Sequence, residues 1–407
     1  MIDELKQLSF PLSLGFIGGS IKSAVGYTHF VASKMDNYWT LEAGCFSQDI
    51  KNNQETAKAY GINENRVYDN WQEMLQSERG KLDAIVVLAP TPIHFEMVIA
   101  CLKYGYAVIC EKALALNSAE IEKIIRLRDE MNSFVAVTYN YSGYPIIREL
   151  RKKIESGRLG RILHFQAEMP QEGFMRVDPH GNKPSPQSWR LSDAKVPTIY
   201  LDLAVHLHQL VHYLLHKKPL EAIATQGSFG WFPEIVDNVS SLCRYAGGIQ
   251  GQFWFSKSAL GHRNGLRLRI YGSQAAAEWY QGNPEELTIS YADGRREIVD
   301  RASPTEIAPT PRYNRFKSGH PAGFIEAFAN LYRDIATALM KYHLSANWYS
   351  EEIFGPELAL EGLQLLQAMV KSTKTKQWQQ VETESSLNFQ RKSAELVSES
   401  SLHKSSI

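Results

Sequence analysis

Short aliphatic runs alternate with amphipathic stretches over the first third of the chain. The runs are Leu14-Gly15-Phe16-Ile17, Leu41 to Phe46, Ala84 to Leu88, Ala107 to Cys110 and Phe134 to Val137. Between them, segments such as Ser118 to Asn132 place Ile121, Ile124, Ile125 and Leu127 at helical spacing. Strands that are apolar on both faces and separated by helices predict a parallel sheet covered on both sides. Residues 12–140 are therefore expected to form a doubly wound α/β domain.

After about Tyr141 the pattern changes. A helix is predicted around Ile146 to Ser156, closed by Gly157. Asn238 to Tyr245 and Ile249 to Ser256 flank Gly247-Gly248, a hairpin signal. Leu266 to Tyr271 alternates leucine and arginine, so one face is dry and the other wet or paired. Leu287 to Tyr291 and Arg295 to Val299 flank Asp293-Gly294, which suits a type I′ turn because both residues tolerate positive φ. Helical periodicity returns at Pro321 to Met340 and Pro356 to Lys371. Residues 141–382 thus predict an α+β domain with a large, mostly antiparallel open sheet and helices packed on it. Residues 383–407, rich in Ser, Glu and Lys, predict a disordered tail.

Composition narrows the function classes. A chain of 407 residues with 44% hydrophobic and 22% charged residues is globular over most of its length. Lys plus Arg and Asp plus Glu both number 44, with no basic stripe, which argues against a nucleic-acid partner. No apolar run approaches the roughly 20 residues that span a bilayer. The acidic start Met1-Ile2-Asp3-Glu4 is unlike the basic start of a secretory leader. Cys45, Cys101, Cys110 and Cys243 show no CxxC spacing and are expected to be buried, reduced thiols of a cytoplasmic protein.

The candidate chemistry lies at strand ends. Gly15-Phe16-Ile17-Gly18-Gly19-Ser20 follows the first strand, and Gly26 opens the next helical stretch. Glycines at such a turn either make an ordinary tight turn or let the backbone approach a pyrophosphate held on a helix N-terminus. After the second strand, Ser47 stands where a carboxylate would meet an adenosine ribose, and no arginine lies between Ser20 and Asn65. That favours NAD, with NADP not excluded, since Lys51 could help a 2′-phosphate. In Ala89-Pro90-Thr91-Pro92-Ile93-His94, Thr91 can cap the next helix with Pro92 at its first position, and His94 is either structural or a cofactor contact. Glu111-Lys112-Ala113 sits past the Ala107 to Cys110 strand, at the carboxyl edge where open α/β sheets hold ligands.

Asp202 and His206 are four apart, on one predicted helical face that continues through Gln209 and Val211 to Leu215. A carboxylate one turn from an imidazole can orient it, and an imidazole can take and return a hydroxyl proton at working pH. His212 and His216 read as wet-face residues. Metal ligation by Asp202, His206 and His208 is a further reading, though no HExxH and no further acidic partner nearby support it.

In this order and spacing the landmarks resemble the glucose–fructose oxidoreductase and inositol dehydrogenase family (Gfo/Idh/MocA), from about Leu12 to Val381. They are Gly18-Gly19, Thr91-Pro92-Ile93-His94, Glu111-Lys112 in the place of Glu-Lys-Pro, and Asp202 with His206 in the Asp-x-Gly-x-His segment. A sugar-dehydrogenase-like branch is similar through Tyr139-Asn140-Tyr141-Ser142-Gly143-Tyr144-Pro145, Gln187-Ser188-Trp189-Arg190 and His320-Pro321-Ala322-Gly323. The chain departs from the pattern at Ala113, at Ala204, at Gln209 and in Lys195 to Tyr200, where a glycine-rich approach is usual.

The resemblance implies an N-terminal Rossmann domain and an NAD(P)-dependent dehydrogenase acting on a hydroxyl carbon of a sugar, nucleotide sugar or inositol-like polyol. It implies catalytic roles for Lys112, His206 and Asp202. Cofactor contacts are expected from Gly18, Gly19, Ser20, Ser47, Thr91, Pro92, His94, Glu111 and Lys112. Tyr144, Trp189, Arg190 and His320 are the implied substrate walls, and Arg190 would suit a carboxylate or phosphate. The alternative is a non-catalytic dinucleotide-sensing or scaffolding protein. On one strand Gln252, Trp254 and Ser256 share a face and Phe253 and Phe255 the other, and on another Arg267 and Arg269 alternate with Leu266, Leu268 and Ile270. At least one face of the second sheet therefore mixes aromatics and arginines and is expected to build a homodimer or homotetramer.

Overall fold

The computed structural model describes residues 10–345 and 350–382, so the expected tail at 383–407 lies outside the described residues. Five strands form the first sheet: β1 (Leu12–Gly18), β2 (Trp39–Cys45), β3 (Ala84–Leu88), β4 (Ala107–Cys110) and β5 (Val135–Val137). Their order is β2-β1-β3-β4-β5, all parallel. The apolar runs fall on these strands because both faces are covered: Ile85, Val86, Val87, Val108 and Ile109 are fully buried.

The second sheet has nine strands. They are β6 (Ile162–Pro170), β7 (Pro219–Gly227), β8 (Asn238–Tyr245), β9 (Ile249–Ser256), β10 (Arg267–Gly272), β11 (Ala275–Tyr280), β12 (Asn283–Tyr291), β13 (Arg296–Val299) and β14 (Gln379–Gln380). The order is β13-β12-β11-β10-β6-β9-β8-β7-β14. Every neighbouring pair is antiparallel except β6 with β9, which is parallel. Alternation sorts the two faces. Phe253, Phe255, Leu268 and Ile270 are buried, while Gln252 is exposed and Trp254, Arg267 and Arg269 are half-buried. The helices Pro145–Glu155, Val205–Leu215 and Pro356–Thr375 pack on this sheet.

The helix Phe324–Ser345 departs from the expectation that the returning helices serve the second sheet. It joins the buried face of the first sheet, with Phe328, Tyr332, Ile335 and Leu339 against Leu14, Phe16, Val86 and Ile109. The Trp39 indole donates to the Tyr332 carbonyl at 2.8 Å. The physical reason is cover: the aliphatic face of a parallel sheet needs helices on it, and this segment supplies one from about 190 positions beyond Val137, where the last strand of that sheet ends.

Candidate active site

The first βα turn is built by backbone that tolerates no side chains. Gly18 and Gly19 take φ of +82° and +75°, and a Cβ on Gly18 would lie 2.8 Å from the Leu88 carbonyl. A Cβ on Gly26 would fall 2.1 Å from the Gly19 carbonyl oxygen, so the turn closes directly on the start of the helix Gly26–Lys34. The Gly26 amide donates to Ser23 Oγ at 2.7 Å, and Val25 supplies no side-chain cap to the rest of that first turn. These features open onto a cleft of about 500 Å³. It runs past Gly18, Gly19, Ser20 and Ser47 to Thr91, Glu111 and Lys112, and on to Trp189, Arg190 and Asp202.

The adenosine end is neutral. Asn52, which sequence reasoning missed, donates to Ser20 Oγ at 3.0 Å and Ser47 Oγ at 3.1 Å. Its Oδ1 is buried with no partner among the described residues. Asp49, the nearest carboxylate in sequence to Ser47, accepts from the Asn52 amide and caps the helix Ile50–Tyr60. Lys22 and Lys51 both lean on Glu55, at 3.8 and 4.0 Å. Positive-φ glycines, a nearly uncapped helix start and an orphaned acceptor together suit a dinucleotide.

Midway, the expected contacts divide. Thr91 lines the cleft but makes no capping hydrogen bond. Pro92 is not among the lining residues, its neighbour Ile93 taking that place. His94 is 1% exposed, with its ring nitrogens 2.8 Å from the Ala113 carbonyl and 2.7 Å from that of Ala89. It ties the β3 turn to the segment after Lys112, where the Lys112–Ala113 peptide is cis, and does not line the cleft. Glu111 lines it and is fixed from behind. It accepts from Thr138 Oγ1 and pairs with His29 Nε2 at 3.2 Å, and His29 Nδ1 meets the Tyr332 hydroxyl at 2.7 Å. Burial would raise the Glu111 carboxyl, but His29, Lys112 and Thr138 outweigh it and hold the group at about 2. His29 gave no signal in the sequence, because its partners come from two distant segments.

At the far end charge dominates. Lys112 Nζ donates to the Asp202 carbonyl at 2.8 Å and to its Oδ1 at 3.1 Å, joining the first domain to the second. Asp202 Oδ2 accepts from Lys257 at 2.6 Å and from Arg190 Nη1. Burial alone would raise this carboxyl, yet Lys257, Lys112 and Arg190 hold it well below its usual value. Burial pushes the Lys257 ammonium down, with Asp202 opposing. Lys257 was not expected: it follows β9 directly and reads as an ordinary strand-end charge.

The expected Asp202–His206 pairing is corrected. Residues Tyr200–Ala204 form a π-helical turn before the α-helix Val205–Leu215, and Asp202 spends both oxygens on cations. His206 is 6% exposed, its Nδ1 has no partner among the described residues, and its ring meets Tyr141 edge-on at 4.8 Å. Burial first, then Lys112, pushes it down to about 3, so it is neutral at ordinary pH. It is not among the residues that line the cleft, and the charges of Lys112, Glu111 and Asp202, which are, act on it.

Further along this helix, His208 is buried 3.4 Å from Glu361, and His212 meets the same carboxylate at 2.9 Å, so His212 is less wet than expected. Among the described residues no group of His, Cys, Asp or Glu is arranged to hold a metal ion. Two expected substrate walls also fall elsewhere. Tyr144 is 2% exposed in the core against Trp279, and His320 is exposed, its carbonyl accepting from Arg301 at 2.7 Å. Trp189 and Arg190 do line the cleft, with the guanidinium 4.4 Å over the indole. All four cysteines are free and buried. No helix among the described residues is long and apolar enough to cross a membrane.

Comparison with known proteins places this geometry. Residues 13–139 match the oxidoreductase family model for the NAD-binding Rossmann fold, and residues 147–278 match the GFO/IDH/MocA C-terminal domain. The uncharacterized oxidoreductase YfiI of Bacillus subtilis is 30% identical over 382 residues, covering 91% of this chain and 97% of that protein. Levoglucosan dehydrogenase of Pseudarthrobacter phenanthrenivorans is 24% identical over 318 residues, 70% of this chain and 78% of its own. Among solved structures, an inositol dehydrogenase homologue from Azotobacter vinelandii complexed with NAD+ superposes with a TM-score of 0.84 at 25% identity. It covers 92% of this chain and 98% of its own.

Proposed function

The chain belongs to the Gfo/Idh/MocA oxidoreductase family, with an NAD-binding Rossmann domain, and from that premise we propose that it oxidises one hydroxyl carbon of a sugar or polyol. The observation that carries this reading is the Lys112–Asp202 contact, which sets an ammonium group at the reactive end of the dinucleotide cleft. Relatives named for levoglucosan and myo-inositol supply the substrate class.

Bound NAD supplies the hydride acceptor. Gly18, Gly19 and Ser20 would hold its diphosphate, Ser47 and Asn52 its adenosine ribose, and Thr91, Glu111 and Lys112 its nicotinamide half. Lys112 donates a hydrogen bond to the substrate oxygen and stabilises its developing charge. His206, neutral and with an orphaned nitrogen, takes the hydroxyl proton as the carbinol carbon becomes a carbonyl. Asp202 acts through Lys112, holding the ammonium in place.

The cofactor is NAD rather than NADP: Glu55 engages the two nearest lysines, and no arginine lines the adenosine end. Buried free thiols suit a reducing, cytoplasmic compartment. The open face of the second sheet, with Gln252, Trp254, Arg267 and Arg269, is the surface for a homodimer or homotetramer. Light scattering of the wild type and of Trp254→Glu tests that assignment. Titration with NAD, NADH, NADP and NADPH, followed by a sugar and polyol panel, tests the activity. Cofactor binding without turnover of any panel member would favour a dinucleotide sensor instead.

A further inference from the structure

The reactive end carries more positive charge than its carboxylates match. Lys112, Arg190 and Lys257 all converge on Asp202, with side chains 14%, 23% and 11% exposed. Glu111 is the second carboxylate here, and it is already engaged by His29 and Thr138. Counting both carboxylates, three cations against two anions leave one positive charge over. Charge withdrawn from water is costly unless an opposite charge meets it. Lys112 and Lys257 take one Asp202 oxygen each, so the carboxylate is satisfied without Arg190.

Arg190 is therefore the surplus cation. One of its nitrogens donates to Asp202, and no other hydrogen bond from its guanidinium is found among the described residues. The group stacks on Trp189 at 4.4 Å, which fixes its plane, and it lines the cleft beside Lys112. A planar fork with unused donors is the arrangement that recognises carboxylates and phosphates. Resting on the dehydrogenase reading above, we propose that the sugar or polyol substrate carries an anionic group, a carboxylate or a phosphate, that docks on the free edge of Arg190. The neutral molecules named for the relatives would lack that contact.

Calorimetric titration of the NADH-loaded protein tests this without requiring turnover. The paired probes are gluconate against glucitol for the carboxylate, and glucose 6-phosphate against glucose for the phosphate. In the wild type one anionic probe should bind about 10- to 100-fold more tightly than its neutral partner, the range of one charged hydrogen bond. The pair with the larger gap identifies the group. Arg190→Gln should abolish the gap and Arg190→Lys should keep part of it, with NADH affinity unchanged and the melting temperature near wild type. Equal binding of anionic and neutral probes by the wild type overturns the proposal. So does weakened NADH binding in Arg190→Gln with the gap intact, which would assign Arg190 to the cofactor's diphosphate. Oxidation of panel members is read separately. Turnover of neutral polyols with no anionic gap keeps the activity and removes the proposal, whereas a gap without turnover of any member removes the activity.

Discussion

The two ends of the cleft are made in opposite ways. The adenosine end is local and neutral: Gly18, Gly19, Ser20, Ser47 and Asn52 come from one short stretch and act through backbone shape and hydroxyl or amide hydrogen bonds. The reactive end is long-range and charged: Lys112, Arg190, Asp202 and Lys257 come from both domains and act through buried ion pairs. A neutral, shape-based site reads the dinucleotide and carries no information about the substrate. A charged site assembled across a domain boundary is where one family fold can be tuned to one reaction.

If this division holds, lesions at the two ends separate binding from turnover. Lys112→Ala should lower turnover by roughly 10²- to 10⁴-fold, the usual loss for a group that handles the reacting oxygen. Tryptophan-fluorescence titration should meanwhile find NADH affinity within about threefold of wild type. Comparable losses in both quantities would dissolve the distinction. Gly18→Ala acts at the other end. Its φ of +82° and the 2.8 Å approach to the Leu88 carbonyl put a Cβ in a strained backbone and in contact with β3. The unliganded turn can relax to relieve that strain, which binding must then restore, so a cost of about 1–2 kcal/mol corresponds to roughly 5- to 30-fold weaker NADH binding. The rate at saturating cofactor should change much less. Asn52→Leu removes the orphaned Oδ1 acceptor, and one neutral hydrogen bond is worth about 0.5–1.5 kcal/mol net, so NADH affinity should fall about two- to tenfold.

The same contrast explains what the sequence made legible. The parallel sheet was visible because burial on both faces leaves uninterrupted aliphatic runs such as Ala84 to Leu88. The β8–β9 hairpin was visible because Gly247 and Gly248, at φ +85° and +77°, occupy its turn. The parallel pairing of β6 with β9 was not, since strands about 80 positions apart leave no local mark of their register. Nor was the seat of Phe324–Ser345: its amphipathic period shows that one face is buried, without saying against which sheet. At the site, the Gly18-Gly19 turn and the Glu111-Lys112 strand end stood out by position. Lys257 did not, because its burial depends on Asp202, Gln171 and Phe174 meeting it in space. The spacing of Asp202 and His206 suggested a pair, but the π-helical turn and three competing cations remove it.

His206 offers the smallest effect, one that vanishes at neutral pH, and it tests whether the reactive end is as dry and as positive as described. The folded ring is held at about 3, whereas an exposed imidazole titrates near 6.5. Below 6.5 the unfolded chain gains a proton that the folded chain refuses, so the unfolded state binds more protons. The stability associated with His206 is complete above pH 6.5 and falls as pH drops through the window from 6.5 to about 3. One unit into that window, at pH 5.5, the loss is roughly 1 kcal/mol. Denaturant unfolding of the wild type and of His206→Gln at pH 7.0 and 5.5 isolates this contribution, because the other titrating groups are common to both. The wild type should lose about 1 kcal/mol more than the variant on acidification. Equal losses would mean that the folded ring takes up its proton as readily as a free one, and that water or an anion already offsets the charge of Lys112 beside it.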